Sequence, residues 1–463
     1  MDPSTREAEL KEIVEGSVTF AGFLDDSDLH DESLHVRHRQ PFAVARPHST
    51  RQVAELVDWA RRHRVPVTPR GSGTGLSGGA LPVNGGLVIC FDQMRQILQV
   101  DERDHVAVVQ PGVTIGELNE RLAGTGLQYA VYPGELSGSI GGNVNTNAGG
   151  MRAVRHGVTR HHVLGLELVL MDGTVLRTGG PIVKSSSGYD LTQLVIGSEG
   201  TLALVTEATL KLSPRLEHAA TLLVPFDDLD AVVRVVPALL SSGLTPSILE
   251  YVDALTMSAL AAFNDLNFGV DPALAERALA YLIVLLETRT PEQLDNDLGA
   301  AAELLADAGA LDVYVLKGAA ATQLIQARER AFWVAKAGGA NEIVDIVVPR
   351  SAVPEFMRAI DALATRFEAF IARCGHVGDG NVHLTVYLAD EVRRRELLRE
   401  LFRAGVALGG AVSGEHGLGV DKRGAYLELA DPAVVALQRR IKAVFDPEGL
   451  LNPFRHLDPR EDA

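Results

Sequence analysis

Twelve residues, Pro69-Arg-Gly-Ser-Gly-Thr-Gly-Leu-Ser-Gly-Gly-Ala80, constrain this chain more than any other stretch, because five of them are glycine. Glycine reaches positive φ without strain and lets a ligand approach bare backbone N–H groups. Successive N–H groups in such a loop make a concave anion site, for which a phosphate or pyrophosphate is the natural guest. Gly73-x-Gly75-x-x-Gly78 has the spacing of the dinucleotide fingerprint, but that fingerprint opens a helix. Here Gly79 and Pro82 follow, and Leu81–Phe91 reads as turn and strand. No Gly-Lys-Ser/Thr follows to make a P-loop. Upstream, Phe42–Arg46 reads as a strand. Ser49 or Thr50 caps a helix with Val53, Leu56, Val57 and Ala60 at helical spacing, and Val65–Thr68 returns as a strand. The loop therefore sits at a strand's end inside a β-α-β unit, where phosphate sites tend to lie.

A second glycine stretch runs Tyr132-Pro-Gly-Glu-Leu-Ser-Gly-Ser-Ile-Gly-Gly-Asn-Val-Asn-Thr-Asn-Ala-Gly-Gly150. A third segment is Gly188-Tyr-Asp-Leu with Ile196-Gly-Ser-Glu-Gly-Thr-Leu202. With these motifs in this order, the chain resembles the flavin-dependent 2-hydroxyacid dehydrogenases of the vanillyl-alcohol oxidase superfamily. The group it is similar to holds the glycolate oxidase catalytic subunit, D-lactate dehydrogenase and D-2-hydroxyglutarate dehydrogenase. The resemblance runs from about Pro41 to Arg455. It implies non-covalent FAD, because the tethering histidine or cysteine that some superfamily members carry near the first loop is missing from Arg70–Gly79. It implies FAD contacts from Pro69, Arg70, Gly71, Ser72, Gly73, Thr74 and Gly75 in the first loop. In the second they come from Pro133, Gly134, Ser137, Ser139, Ile140, Gly142, Asn143, Asn147, Gly149 and Gly150. Glu199, Gly200, Val205 and Asn452 complete the set, the last in Asp446-Pro-Glu-Gly-Leu-Leu-Asn-Pro453.

The expected fold is α+β with two domains, a PCMH-type FAD-binding domain and a ferredoxin-like antiparallel-sheet cap. An N-terminal segment spans 1–40 and the FAD-binding domain 41–214. The substrate cap with its metal site spans 215–440, and 441–463 returns to the flavin. Within the cap, strands at Ala219–Pro225, Ser247–Tyr251, Tyr281–Glu287 and Leu311–Leu316 alternate with helices at Leu229–Leu240 and Pro291–Ala308 in β-α-β-β-α-β order.

Gly375-His-Val-Gly-Asp-Gly-Asn-Val-His-Leu384 carries the chemistry. Asp379-Gly380 is a two-residue hairpin signal, and folding about it sets His376 opposite His383, close enough for two imidazoles to meet one ion. Ser413-Gly-Glu-His-Gly-Leu-Gly419 adds a carboxylate and a third imidazole. Two histidines and one carboxylate suit a divalent ion with open positions. The resemblance assigns His376, His383 and Glu415 to one divalent metal (zinc, iron or manganese) and His416 to the catalytic base. Gln326–Trp333 reads as a helix. The resemblance places a substrate-carboxylate clamp at Arg328, with Arg330 the neighbouring candidate; a guanidinium fork suits a carboxylate.

Two departures bear on the substrate. The hydroxyglutarate branch has a lysine where Ile343 stands and an asparagine where Thr385 stands. Both hold polar groups of the larger substrate, so the expected reaction is oxidation of a small D-2-hydroxy acid, D-lactate or glycolate, to the 2-oxo acid. The alternatives are a D-2-hydroxyglutarate dehydrogenase, an alkyl-dihydroxyacetone-phosphate synthase, or a non-catalytic FAD-binding subunit of a glycolate oxidase complex. The last two lack the metal motif. Electrons pass to an acceptor other than NAD: an electron-transfer flavoprotein, a quinone or a partner subunit.

A net charge of −17 argues against nucleic acid and against adhesion to anionic lipid by charge alone. Cys90 and Cys374, far apart in apolar runs, make neither a disulfide framework nor a thiolate metal site. No apolar run reaches transmembrane length. The expected location is cytoplasmic, with a peripheral position at the inner membrane and a homodimer as further expectations.

Overall fold

The computed structural model describes residues 3–82, 85–453 and 455. Strands β1 (Val18–Phe20), β2 (Ala43–Ala45), β3 (Val67–Arg70) and β4 (Leu87–Cys90) form a sheet in the order β1-β2-β4-β3. β2 and β3 both run parallel to β4, and helix Thr50–His63 makes the crossover. Ser49 caps that helix by accepting from Gln52 N, and Val53, Leu56, Val57, Trp59 and Ala60 bury its inner face. The glycine loop leaves the end of β3.

A second sheet follows from β5 (Ile97–Asp101) and β6 (Val106–Val109). A short β7 (Leu127–Gln128) comes next, then β8 (Val163–Val169), β9 (Val175–Gly179) and β10 (Leu204–Lys211). Its antiparallel order is β5-β6-β10-β8-β9. β11 (Ser213–Pro214) pairs with β7, so Pro214 lies in a two-stranded ribbon just before the next unit.

That unit is built on β12 (His218–Phe226), β13 (Ile248–Asp253), β14 (Ala280–Thr288), β15 (Tyr314–Leu316), β16 (Glu342–Val347), β17 (Phe370–His376) and β18 (Asn381–Tyr387). Their order is β15-β12-β14-β13-β17-β18-β16, antiparallel throughout. The first four strands have the ferredoxin-like order, and β17, β18 and β16 extend that sheet from β13. Alternation then decides which side chain faces where. Leu249, Tyr251, Val344, Ile346, Val382 and Leu384 join one core with helices Leu229–Ser241, Pro291–Asp307, Val353–Phe367 and Glu391–Ala407. Residues one step out of phase, including Glu250, Asp345, His376 and His383, point from the opposite face.

The stretch read as one helix over Gln326–Trp333 is two, Ala319–Glu329 and Ala331–Ala337, broken at Arg330. The break separates the two arginines. Arg328 is buried, while Arg330 points outward and donates to Asn264 Oδ1 at 2.9 Å. Part of the expected C-terminal segment, residues 454 and 456–463, lies outside the described residues.

Candidate active site

The two glycine stretches are tied together. Ser139 N donates to Ser72 Oγ at 2.8 Å, and Ser72 N to Ser139 Oγ at 3.4 Å. The approach is so close that a Cβ on Gly71 would lie 2.2 Å from Ser139 Oγ. One long cavity runs along both loops and ends against the cap sheet. Of the expected flavin contacts, Pro69 to Gly75, Pro133, Gly134, Ser139, Gly142, Asn143, Gly149, Gly150, Glu199, Gly200 and Val205 line it. Four do not. Ser137 is turned to Glu135, its N and Oγ both donating to Oε1. Ile140 is fully buried in the core under the second sheet. Asn147 ends helix Ile140–Thr146 in the left-handed region and accepts from Arg160 N. Asn452 sits behind the first loop, donating to Gly79 O and Glu199 O. Ser77, in neither group, lines the cavity and donates to His416 O and Gly417 O, joining the first loop to the one that carries Glu415 and His416.

The residues present fit a flavin dinucleotide. Arg70 Nη1 and Asn143 Nδ2 are buried at the cavity without a partner, and both can donate to a phosphate or ring acceptor. A Cβ on Gly75 would meet nothing nearer than Asp31 Oδ2 at 4.0 Å, so the space over that backbone belongs to the cavity. The histidines and cysteine among the lining residues are Cys374, His376, His383 and His416, none of them in Arg70–Gly79.

At that end the hairpin register differs from the expected one. β17 pairs with β18 as Cys374↔His383 and His376↔Asn381, so His376 and His383 are diagonal neighbours, not opposite ones. The turn is longer than two residues: His376 O accepts from both Asp379 N and Gly380 N, closing a four-residue loop. A diagonal pair still shares a face within reach of long side chains, and the two Nε2 atoms lie 3.1 Å apart. Glu415 Oε1 is 3.3 Å from His376 Nε2 and 3.2 Å from His383 Nε2. Those separations are close to the roughly 3.3 Å edge of a tetrahedron of ligands at about 2.0 Å from an ion. The two imidazoles and the carboxylate can therefore hold one.

His416 stacks against His383, ring centroids 5.1 Å apart, with Nδ1 3.3 Å from Asp345 Oδ1. Burial, with Lys422 and His383 nearby, pulls its pKa down to about 4 against the pull of Asp345. Its imidazole is thus neutral at pH 7. Glu415 shows the reverse balance: burial would raise its pKa, but His376 and His383 hold it well below the usual carboxylate range. Arg328, with 6% of its surface exposed, lines the same end. Ile343 and Thr385 are cross-strand partners on this face and also line the cavity.

Three residues escaped the sequence reading. Asp345 is fully buried and accepts from Ser413 Oγ at 2.9 Å, from the N–H groups of Gly414, Glu415 and His416 at 2.7, 2.7 and 3.3 Å, and from Lys422 Nζ at 2.5 Å. One carboxylate thus gathers the first half of the loop that carries Glu415 and His416. Lys422 is its buried counter-charge. Glu250, also fully buried, meets His376 Nδ1 through Oε1 at 2.6 Å and Arg328 Nη2 through Oε2 at 2.7 Å. The signal for both acids was a lone carboxylate inside an apolar strand, Ile-Leu-Glu-Tyr-Val and Ile-Val-Asp-Ile-Val, since a charge is buried there only with partners.

Residues 41–179 match the family described as FAD binding domain, and residues 215–455 the FAD linked oxidases, C-terminal domain. An uncharacterized FAD-linked oxidoreductase of Mycobacterium tuberculosis is 51% identical over 96% of this chain and 97% of its own. The glycolate oxidase subunit GlcD of Bacillus subtilis is 36% identical over 89% and 88%, and a D-lactate dehydrogenase of Anaerostipes hadrus 33% over 96% and 95%. Among solved structures, p-cresol methylhydroxylase with substrate bound superposes with a TM-score of 0.81 at 17% identity, over 99% of this chain and 98% of that one.

Proposed function

The chain belongs to the FAD-linked oxidases, in the FAD-dependent 2-hydroxyacid dehydrogenase group, and from that premise we propose that it oxidises a small D-2-hydroxy monocarboxylate, D-lactate or glycolate, to the 2-oxo acid. The observation that carries the reading is the meeting of His376, His383, Glu415, His416 and Arg328 at one end of the cavity lined by the glycine loops. When bound, without a covalent tether, FAD supplies the hydride acceptor, and a divalent ion held by His376, His383 and Glu415 supplies Lewis acidity toward the substrate hydroxyl.

The chain's own side chains do the rest. Arg328 pairs with the substrate carboxylate and fixes which face of C2 is presented. His416, neutral and with Nδ1 turned to Asp345, offers Nε2 to the hydroxyl proton as the C–H bond breaks. Asp345 then stabilises the imidazolium. Ile343 and Thr385 put no cation or amide where a second substrate carboxylate would need one, which favours a monocarboxylate. Electrons leave to a non-NAD acceptor, and the subunit named in the Bacillus relative favours a partner protein in that role.

The test is anaerobic bleaching of the bound flavin by glycolate, D-lactate, L-lactate and D-2-hydroxyglutarate in turn. Bleaching by D-lactate or glycolate is expected. Bleaching by D-2-hydroxyglutarate alone would move the chain to the dicarboxylate branch. Bleaching by none would leave it a non-catalytic subunit.

A further inference from the structure

Glu250 lies outside every motif that points to the site, yet it touches two of its parts at once. β13 pairs with β17 as Tyr251↔Gly375 and Val252↔Cys374, and carrying that antiparallel register one residue on sets Glu250 against His376. Its neighbours Leu249 and Tyr251 go into the helical core, so the carboxylate stands on the site face. It is fully buried, 2.6 Å from His376 Nδ1 and 2.7 Å from Arg328 Nη2.

We infer that Glu250 is the positioning residue of the metal site, fixing His376 as a ligand while serving as the standing counter-charge of Arg328. The inference rests on the metal reading given above for His376, His383 and Glu415. A carboxylate only accepts, so Nδ1 of His376 carries a proton, which leaves Nε2 as the atom that would turn a lone pair to a bound cation. Nε2 is the atom that meets His383 and Glu415. A carboxylate behind a ligating imidazole also raises its basicity and locks its ring, and loss of such a partner weakens metal binding about 10- to 100-fold. Arg328 gains as well: buried, it keeps a partner while no substrate carboxylate is present.

A counter-charge role alone and a positioning role predict different metal affinities. The experiment measures the dissociation constant for zinc, and separately for manganese, by chelator competition on FAD-loaded protein. The variants are Glu250→Gln, Glu250→Asp and the charge-balanced double variant Glu250→Gln/Arg328→Met. Flavin content and spectrum serve as the check that each is folded. Glu250→Gln is expected to bind zinc at least about tenfold more weakly with full flavin. The double variant restores the net charge, and is expected to stay weak because His376 still lacks its orienting charge. Glu250→Asp keeps the charge on a shorter arm and falls between; it carries the test should the Gln variant fail to fold. A dissociation constant within twofold of the parent in Glu250→Gln, or one restored in the double variant, overturns the positioning role. A parent protein that binds no ion through His376 overturns both this inference and the metal reading beneath it.

Discussion

In the proposed mechanism two adjacent side chains divide the chemistry. Glu415 lies between the two imidazoles that would share an ion, while His416 turns its Nδ1 to Asp345. Gly417, at a φ of +78°, bends the loop immediately after them. If Glu415 is a ligand, Glu415→Ala loses metal and rate together. If His416 is the base, His416→Ala keeps metal and flavin and loses rate by about 10²- to 10⁴-fold. Elemental analysis and anaerobic flavin reduction measure the two quantities; metal loss in His416→Ala with retention in Glu415→Ala would reverse the assignment. Gly75 allows an equally local test of the cofactor cavity. Its φ is not in the left-handed region and an added Cβ meets no protein atom within 3.4 Å, so Gly75→Val folds but fills the cavity. Loss of FAD at unchanged secondary structure is the expected result. Full FAD occupancy would remove this loop from the cofactor site.

At the scale of elements, much of the fold could be read from local pattern. The glycine loops, the β-α-β unit ahead of them and the β-α-β-β-α-β run of the cap are each written in contiguous residues. The hairpin register was not. Asp379-Gly380 signals a two-residue turn, but the loop closes against Val348, the residue that follows β16, whose N donates to Gly380 O at 3.1 Å. Glu250 is 126 residues from His376, and Asp345 is 69 from Gly414, so no local spacing relates them. What could be read was that each is a carboxylate inside an apolar strand. The same turn makes a prediction. Gly380 has a φ of +89°, and a Cβ there would lie 2.1 Å from Val348 O. Gly380→Ala therefore costs at least about 1 kcal/mol for the left-handed backbone alone, plus the displacement of β16. Because β17 and β18 carry the two histidines to their diagonal, the variant is expected to lose bound metal before it loses FAD. Thermal unfolding and metal content check this, and a variant with normal metal and lowered melting temperature would separate the turn from the site.

On the scale of the whole molecule, the loop that carries Glu415 and His416 belongs to both units. Asp345 holds it from the cap side, and Glu199 from the other, accepting from Leu418 N at 2.8 Å and Gly419 N at 2.7 Å. The geometry at the cavity's end therefore depends on how firmly the cap docks, and a half-buried histidine sits at that docking surface. Helix Ala153–His156 packs on β13, with Arg152 bound to Glu287 at 2.9 Å and Arg155 to Ser247 Oγ at 3.0 Å. His156 sits among these arginines, and its carbonyl accepts from His162. Burial first, then Arg155 and Arg152, pull the His156 pKa from 6.5 to about 4, with Glu287 opposing and His162 adding to the shift. The folded pKa lies below the unfolded one. Between pH 6.5 and 4 the unfolded chain therefore binds the extra proton, and stability falls as the pH falls through that window. Above 6.5 the contribution is flat. His156→Gln removes the titration while keeping a polar side chain. The expected outcome is a melting temperature that declines less steeply from pH 6.5 to 4 in the variant than in the parent, with release of FAD following the same curve. Parallel declines in the two proteins would place the acid sensitivity elsewhere, His162 being the next group to replace because burial lowers its pKa as well.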